Sequence, residues 1–149
     1  MKEFSDLYNF LIRNNISNSH AISNLLLREN LATKENLEKL ISGTPVEHIL
    51  GKIDFYNADI FVDDSVLIPR PETEILVDLV VKYLKNCNLD NIKLLDLCSG
   101  SGCIAVSLKK RFPNLQVYAV DISDKALILA EKTANFNNVE VKFLKSDLL

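Results

Sequence analysis

Two acids and a glycine turn carry the chemistry of this sequence. Leu94-Leu95-Asp96-Leu97-Cys98-Ser99-Gly100-Ser101-Gly102-Cys103-Ile104-Ala105 passes from an apolar strand pattern, through a turn, into a helical pattern. Gly100 and Gly102 permit backbone angles and a close ligand approach that a β-carbon obstructs, and a helix starting after them points free N–H groups at whatever lies over the turn. That is a seat for a nucleotide-like cofactor, with Cys98, Ser99, Gly100, Ser101 and Gly102 as its floor. Asp121 closes the next strand, where a carboxylate can accept hydrogen bonds from both ribose hydroxyls. The cysteines Cys87, Cys98 and Cys103 are odd in number and lack the paired spacing of a zinc site, so neither a metal nor a disulfide framework is expected.

Two cofactor classes fit the turn. Gly100 to Ala105 satisfies the G-x-G-x-x-G/A spacing of dinucleotide binders. Asp96 separates the classes, because a carboxylate beside the turn repels a doubly charged pyrophosphate. S-adenosylmethionine instead carries a cationic amino group and a sulfonium, which an acid at the end of the first strand complements. Asp96 therefore favours the methyl donor; its plainer reading is an aspartate that hydrogen-bonds local amides.

The elements that must position these groups follow from the periodicity. Residues 1–43 read as a helical N-terminal domain. Phe4, Leu7, Tyr8, Leu11 and Ile12 recur at helical spacing, as do Ala21, Ile22, Leu25 and Leu26 after the cap Ser19, and Leu37, Leu40 and Ile41 after Thr33. Residues 44–70 read as a linker with a β-hairpin, built on Ile53, Phe55 and Tyr56, then Ile60, Phe61 and Val62. From residue 71 to 149 strand and helix alternate: a helix from Pro71, a strand over 92–97, a helix over 103–112 stopped by Pro113, a strand over 116–120, a helix from Asp124 capped by Ser123, and a strand over 139–144. Apolar strands separated by such helices predict an α/β fold with a parallel, Rossmann-like sheet. Three strands are few for such a sheet, so the domain reads as truncated, with an unpaired edge and apolar faces expected to drive self-association.

Composition is that of a globular protein. The chain has 149 residues, 48% hydrophobic and 25% charged, with a formal net charge of -3, which argues against non-specific binding to nucleic acid or an acidic membrane. Lys109-Lys110-Arg111 falls where a helix should end and its cations meet the helix dipole. The charged start Met1-Lys2-Glu3 is unlike a signal peptide, and no apolar run approaches the roughly 20 residues that span a bilayer; a cytoplasmic protein is expected.

With these residues in hand, the chain resembles the bacterial protein-(glutamine-N5) methyltransferases that modify peptide chain release factors. The match rests on Gly43-Thr44-Pro45 with Ile49-Leu50-Gly51, the hairpin with Phe55 and Phe61-Val62, Leu67-Ile68-Pro69-Arg70-Pro71-Glu72-Thr73-Glu74, and Asp96-Leu97-Cys98-Ser99-Gly100-Ser101-Gly102. The Pro-Arg-Pro-Glu-Thr-Glu run is far more specific than the turn, which all class I S-adenosylmethionine-dependent methyltransferases share. The resemblance implies a helical domain joined by a hairpin to a class I methyltransferase domain that methylates the glutamine amide of the release factor's Gly-Gly-Gln loop. By position, Cys98 to Gly102 would cradle the methionine moiety, Asp121 the ribose, and Asp147 or Leu148 the adenine, with Glu72 and Thr73 lining the cleft. Arg70 would orient the linker through a carboxylate. The family's Asn-Pro-Pro-Tyr motif, which holds the amide, is absent from the sequence, so no catalytic residue is assigned and methyl transfer is expected of the longer parent protein. The alternatives are a nucleotide-dependent oxidoreductase using the same turn, or a non-catalytic binding module.

Overall fold

The computed structural model describes residues 4–147, and the chain divides into two compact units at Gly51/Lys52. The first holds four helices: α1 (Phe4–Arg13), α2 (Ser19–Arg28), α3 (Lys34–Ile41) and α4 (Val46–Leu50). Leu7, Leu11, Leu26, Leu37 and Leu40 form its core, the positions that helical spacing places on one face of each helix. Thr33 caps α3, its hydroxyl accepting the Asn36 N–H at 3.2 Å. Ser19 is not the cap of α2. Asn18 takes that position at φ +54°, a left-handed angle asparagine tolerates, and Ser19 begins the helix with its hydroxyl donating to the Ile16 carbonyl. Helix α4 escapes the periodicity, because five residues between Pro45 and Gly51 are too few to display a period.

In the second unit β1 (Lys52–Phe55) and β2 (Ala58–Phe61) form an antiparallel hairpin. Its two-residue tip, Tyr56 and Asn57, has φ of +48° and +62°, the double left-handed geometry that matches strand twist. Then come α5 (Pro71–Leu84), a 3-10 turn over Leu89–Asn91, β3 (Lys93–Leu97), α6 (Cys103–Arg111), β4 (Gln116–Asp121), α7 (Asp124–Phe136) and β5 (Lys142–Lys145). β3, β4 and β5 are parallel in that order, with Leu94 opposite Val117 and Ala119 opposite Phe143, which is the α/β, Rossmann-like sheet expected. β5 starts later than residue 139, because Asn138 turns left-handed at φ +55° and the Val139 N–H closes α7 on the Ala134 carbonyl.

The hairpin belongs to the core of this unit: Phe55, Ala58, Ile60 and Val62 pack with Val77, Val81, Cys103, Val106, Leu108 and Ala134. Polar bonds fix it to α7. The Phe61 N–H donates to the buried Thr133 hydroxyl at 3.2 Å, the Asp59 N–H to the Asn137 Oδ1 at 3.2 Å, and the Asn137 amide returns a bond to the Asp59 carbonyl at 2.7 Å. The Ser107 hydroxyl on α6 donates to the Phe55 carbonyl at 3.5 Å. On the sheet face away from the buried Asp96, Val117 and Ala119, the side chains of Leu95, Leu97 and Leu144 stay about half exposed. No helix among the described residues is long and apolar enough to cross a membrane.

Candidate functional site

The turn after β3 is held from every side. Cys98, Gly100 and Gly102 have φ of +60°, +52° and +75°; the Ser99 N–H continues the ladder to the Val120 carbonyl at 3.0 Å, and the Gly102 N–H closes the turn on the Ser99 carbonyl at 2.8 Å. The two glycines answer different needs. A β-carbon at Gly102 would stand 3.0 Å from Ala130 Cβ on α7, so this glycine lets two helices meet; a β-carbon at Gly100 would meet nothing within 4 Å, leaving space over the backbone for a ligand. Ser99 and Ser101 are buried, and the Ser99 hydroxyl has no partner among the described residues.

Asp96 fills the capping role that Gly102 cannot. Its Oδ2 accepts the N–H of Ala105, the third residue of α6, at 3.1 Å, where a carboxylate favourably meets the helix dipole. Burial pushes its pKa from 3.8 up to about 6, against the lowering effect of the Ala105 bond, and the nearby negative charge of Asp121 adds to the rise. The plain reading of Asp96 as a turn-capping acid thus holds, and a carboxyl this buried with a second acid near it is relieved by a cation and strained by an anion.

The sign for stability follows. Between pH 4 and 6 the folded chain keeps a proton on Asp96 that the unfolded chain has released, so this group makes folding less favourable as pH rises through that window. The shift of roughly two units corresponds to at most about 3 kcal/mol. Chemical denaturation at pH 4 and pH 7 is expected to show Asp96→Asn losing this slope; equal slopes in the two proteins would refute the assignment.

Asp121 stands at the end of β4 with both oxygens engaged. Oδ2 accepts the Gly100 N–H at 2.8 Å and Oδ1 the Ser123 N–H at 3.0 Å. A carboxylate has about four lone-pair sites, so two remain to accept hydroxyls. Ser123 in turn caps α7 by accepting the Ala126 N–H at 3.3 Å. The Asp121 carbonyl takes the Ser146 N–H at 3.1 Å, which brings the segment of Ser146 and the exposed Asp147 to the same end of the sheet. Leu148 lies outside the described residues.

Glu72 and Thr73 occupy the first turn of α5, and no hydrogen bond or ion pair joins them to the glycine turn among the described residues. Arg70 has no carboxylate partner there, contrary to the expected pairing; it is exposed as the cap of α5. Burial pushes the Cys103 thiol up to about 11, so it stays protonated and packs as a small apolar residue. Among the described residues no group of three or more His, Cys, Asp or Glu side chains could hold a metal ion. Sequence reasoning passes over Ile122, an apolar side chain left 64% exposed directly after Asp121; an isoleucine between two turn-forming polar residues is the available signal.

Residues 72–149 match the family model of the methyltransferase small domain. The chain is 47% identical over 106 residues to the release factor glutamine methyltransferase of Flavobacterium psychrophilum, covering 70% of this chain and 37% of that protein. To the enzyme of the same name from Lactococcus lactis it is 37% identical over 142 residues, covering 89% and 52%. The chain thus spans between about a third and a half of the length of these curated relatives. In fold it is similar to the crystal structure of the Pyrococcus abyssi tRNA (uracil-54, C5)-methyltransferase in complex with S-adenosyl-L-homocysteine, with a TM-score of 0.53 and 22% identity over 64% of this chain and 23% of that one.

Proposed function

The chain belongs to the methyltransferase small domain family, and from that premise we propose that it forms the cofactor-binding part of a release-factor glutamine methyltransferase. The observation that carries the proposal is the pair Asp96 and Asp121, two acids close enough to repel each other, placed against a turn left open at Gly100. Such a site complements a ligand that is cationic at one end and bears ribose hydroxyls at the other, which is the chemistry of S-adenosylmethionine.

When bound, S-adenosylmethionine supplies an electrophilic methyl group on a positively charged sulfur. Asp96 would balance the cationic end while holding the first turn of α6, and Asp121 would accept the ribose hydroxyls on its two remaining lone-pair sites. Cys98 to Gly102 would line the methionine moiety, Ile122 would cover one face of the adenine, and Asp147 or Leu148 would meet its edge. The methyl-accepting amide nitrogen is a poor nucleophile because its lone pair is delocalised into the carbonyl. Transfer therefore depends on aiming that nitrogen at the methyl and accepting its proton, and we assign this step to the full-length protein. The names of the relatives support a release factor as substrate; the Gly-Gly-Gln glutamine as acceptor and the cytoplasm as the place of action are further parts of the proposal, taken from the resemblance and not from those names.

A nucleotide-dependent oxidoreductase is the competing use of Gly100 to Ala105, and Asp96 with Asp121 opposes it through repulsion of pyrophosphate. Isothermal titration of this chain with S-adenosylmethionine and, separately, with NADH tests the choice. Binding of the methyl donor at least tenfold tighter than NADH is expected; tighter NADH binding would overturn the proposal.

A further inference from the structure

The first turn of α5, Pro71 to Glu74, contributes no buried side chain; burial on that helix begins at Val77 and continues at Val81 and Leu84. What fixes this turn is a pair of acids one helical turn apart, Glu74 and Asp78, which share a face by their spacing. Glu74 Oε1 accepts the backbone N–H of Tyr56 at 2.8 Å, and Asp78 Oδ1 accepts the Tyr56 hydroxyl at 2.6 Å. Tyr56 is an unusual residue for its place. A bulky side chain at φ +48° is disfavoured, so the hairpin tip persists in this form only where its surroundings hold it.

From the tip, the hairpin runs back to the frame of the glycine turn. The Phe55 carbonyl is bound by Ser107 on α6, and the Phe61 N–H by Thr133 on α7. One turn before Thr133, Ala130 is the residue against which Gly102 packs. A continuous set of contacts therefore joins the start of α5 to both helices that border the turn. We propose that Glu74, with Asp78, is a positioning residue that acts through Tyr56 to set the first turn of α5, with Glu72 and Thr73, against the frame of the cofactor site. This role rests on the cofactor reading above only for its effect on binding. The latch itself is independent of that reading.

Four variants of the 149-residue chain test it: Glu74→Ala, Glu74→Gln, Tyr56→Phe and Val81→Ala. Glutamine keeps an oxygen acceptor for the Tyr56 N–H, whereas Val81→Ala loosens the buried part of α5 without touching the latch. Hydrogen exchange at the Tyr56 and Thr73 amides is expected to rise at least tenfold in Glu74→Ala and to stay within threefold of wild type in Glu74→Gln. Affinity for S-adenosylmethionine is expected to fall three- to tenfold in Glu74→Ala, less in Tyr56→Phe, and not at all in Val81→Ala, with Glu74→Gln restoring it. Unchanged exchange in Glu74→Ala overturns the latch. Raised exchange with unchanged affinity, or an equal loss of affinity in Val81→Ala, overturns its positioning role. A wild-type chain that binds no S-adenosylmethionine defeats the cofactor reading instead and leaves the exchange result to decide the latch.

Discussion

Gly102→Ala is expected to destabilise the second unit by about 2–4 kcal/mol, because two independent penalties fall on one methyl group. At φ +75° any L side chain is strained, which costs roughly 1–2 kcal/mol. The new carbon also stands 3.0 Å from Ala130 Cβ, and forcing the two helices apart adds about 1–3 kcal/mol, less whatever relaxation recovers. Gly100→Ala supplies the control, since its φ of +52° brings the backbone penalty while its surroundings are open; a loss nearer 1 kcal/mol is expected there. Urea unfolding of the two variants reads the difference, and equal losses would show that the contact with α7 contributes nothing. Ligand binding should separate them in the opposite sense. A methyl at Gly100 lies in the open space over the turn, so the milder stability variant is expected to be the worse binder, an inversion that calorimetry detects directly.

Asp121→Ala is expected to weaken S-adenosylmethionine binding by about 1–3 kcal/mol, which is roughly 5- to 150-fold in Kd. Part of the loss would be the charge-assisted bonds proposed between Asp121 and the ribose. The remainder comes from the turn, because Gly100 and Ser123 both lose the acceptor that now holds their N–H groups. Asp121→Asn distinguishes the two contributions. An amide keeps one acceptor oxygen but presents an NH2 group to the other backbone N–H, so one of the two bonds is replaced by a clash of donors. Its ligand-free turn is therefore expected to exchange amide protons faster than wild type even though the side chain is nearly the same size. An unchanged Kd in Asp121→Ala would remove Asp121 from the site.

Much of this architecture is legible in the residues because its signals are local. A strand of Leu94 to Leu97, glycines at 100 and 102, a helix up to Pro113 and a serine cap at 123 each depend on neighbours a few positions away. Where the structure departs from expectation, a competing local bond decides. Asn18 accepts the left-handed angle that removes Ser19 from the cap, and the Val139 N–H is spent on closing α7 rather than on starting β5. For Asp96 the residues already offer two readings, an acid facing a cation and an acid bonding local amides, but only the fold shows which amide and why: α6 begins at a residue with no side chain and borrows a carboxylate from β3. Glu74 illustrates what one dimension hides. In the Pro-Arg-Pro-Glu-Thr-Glu run it looks like a second acid for the positive end of a helix, and its real partner is a backbone amide 18 positions earlier.

With a single side chain, Asn137 offers Asp59 the donor and the acceptor that a neighbouring strand would offer, and Thr133 takes the next outward N–H of β2 at Phe61. The outer rim of the hairpin is thereby shut to strand addition by an element that is not a strand, which shields β2 from templating extended chains into intermolecular sheets. Recruitment is left to the β1 rim, where Lys52 and Asp54 are both exposed and charge discourages the close approach that pairing requires.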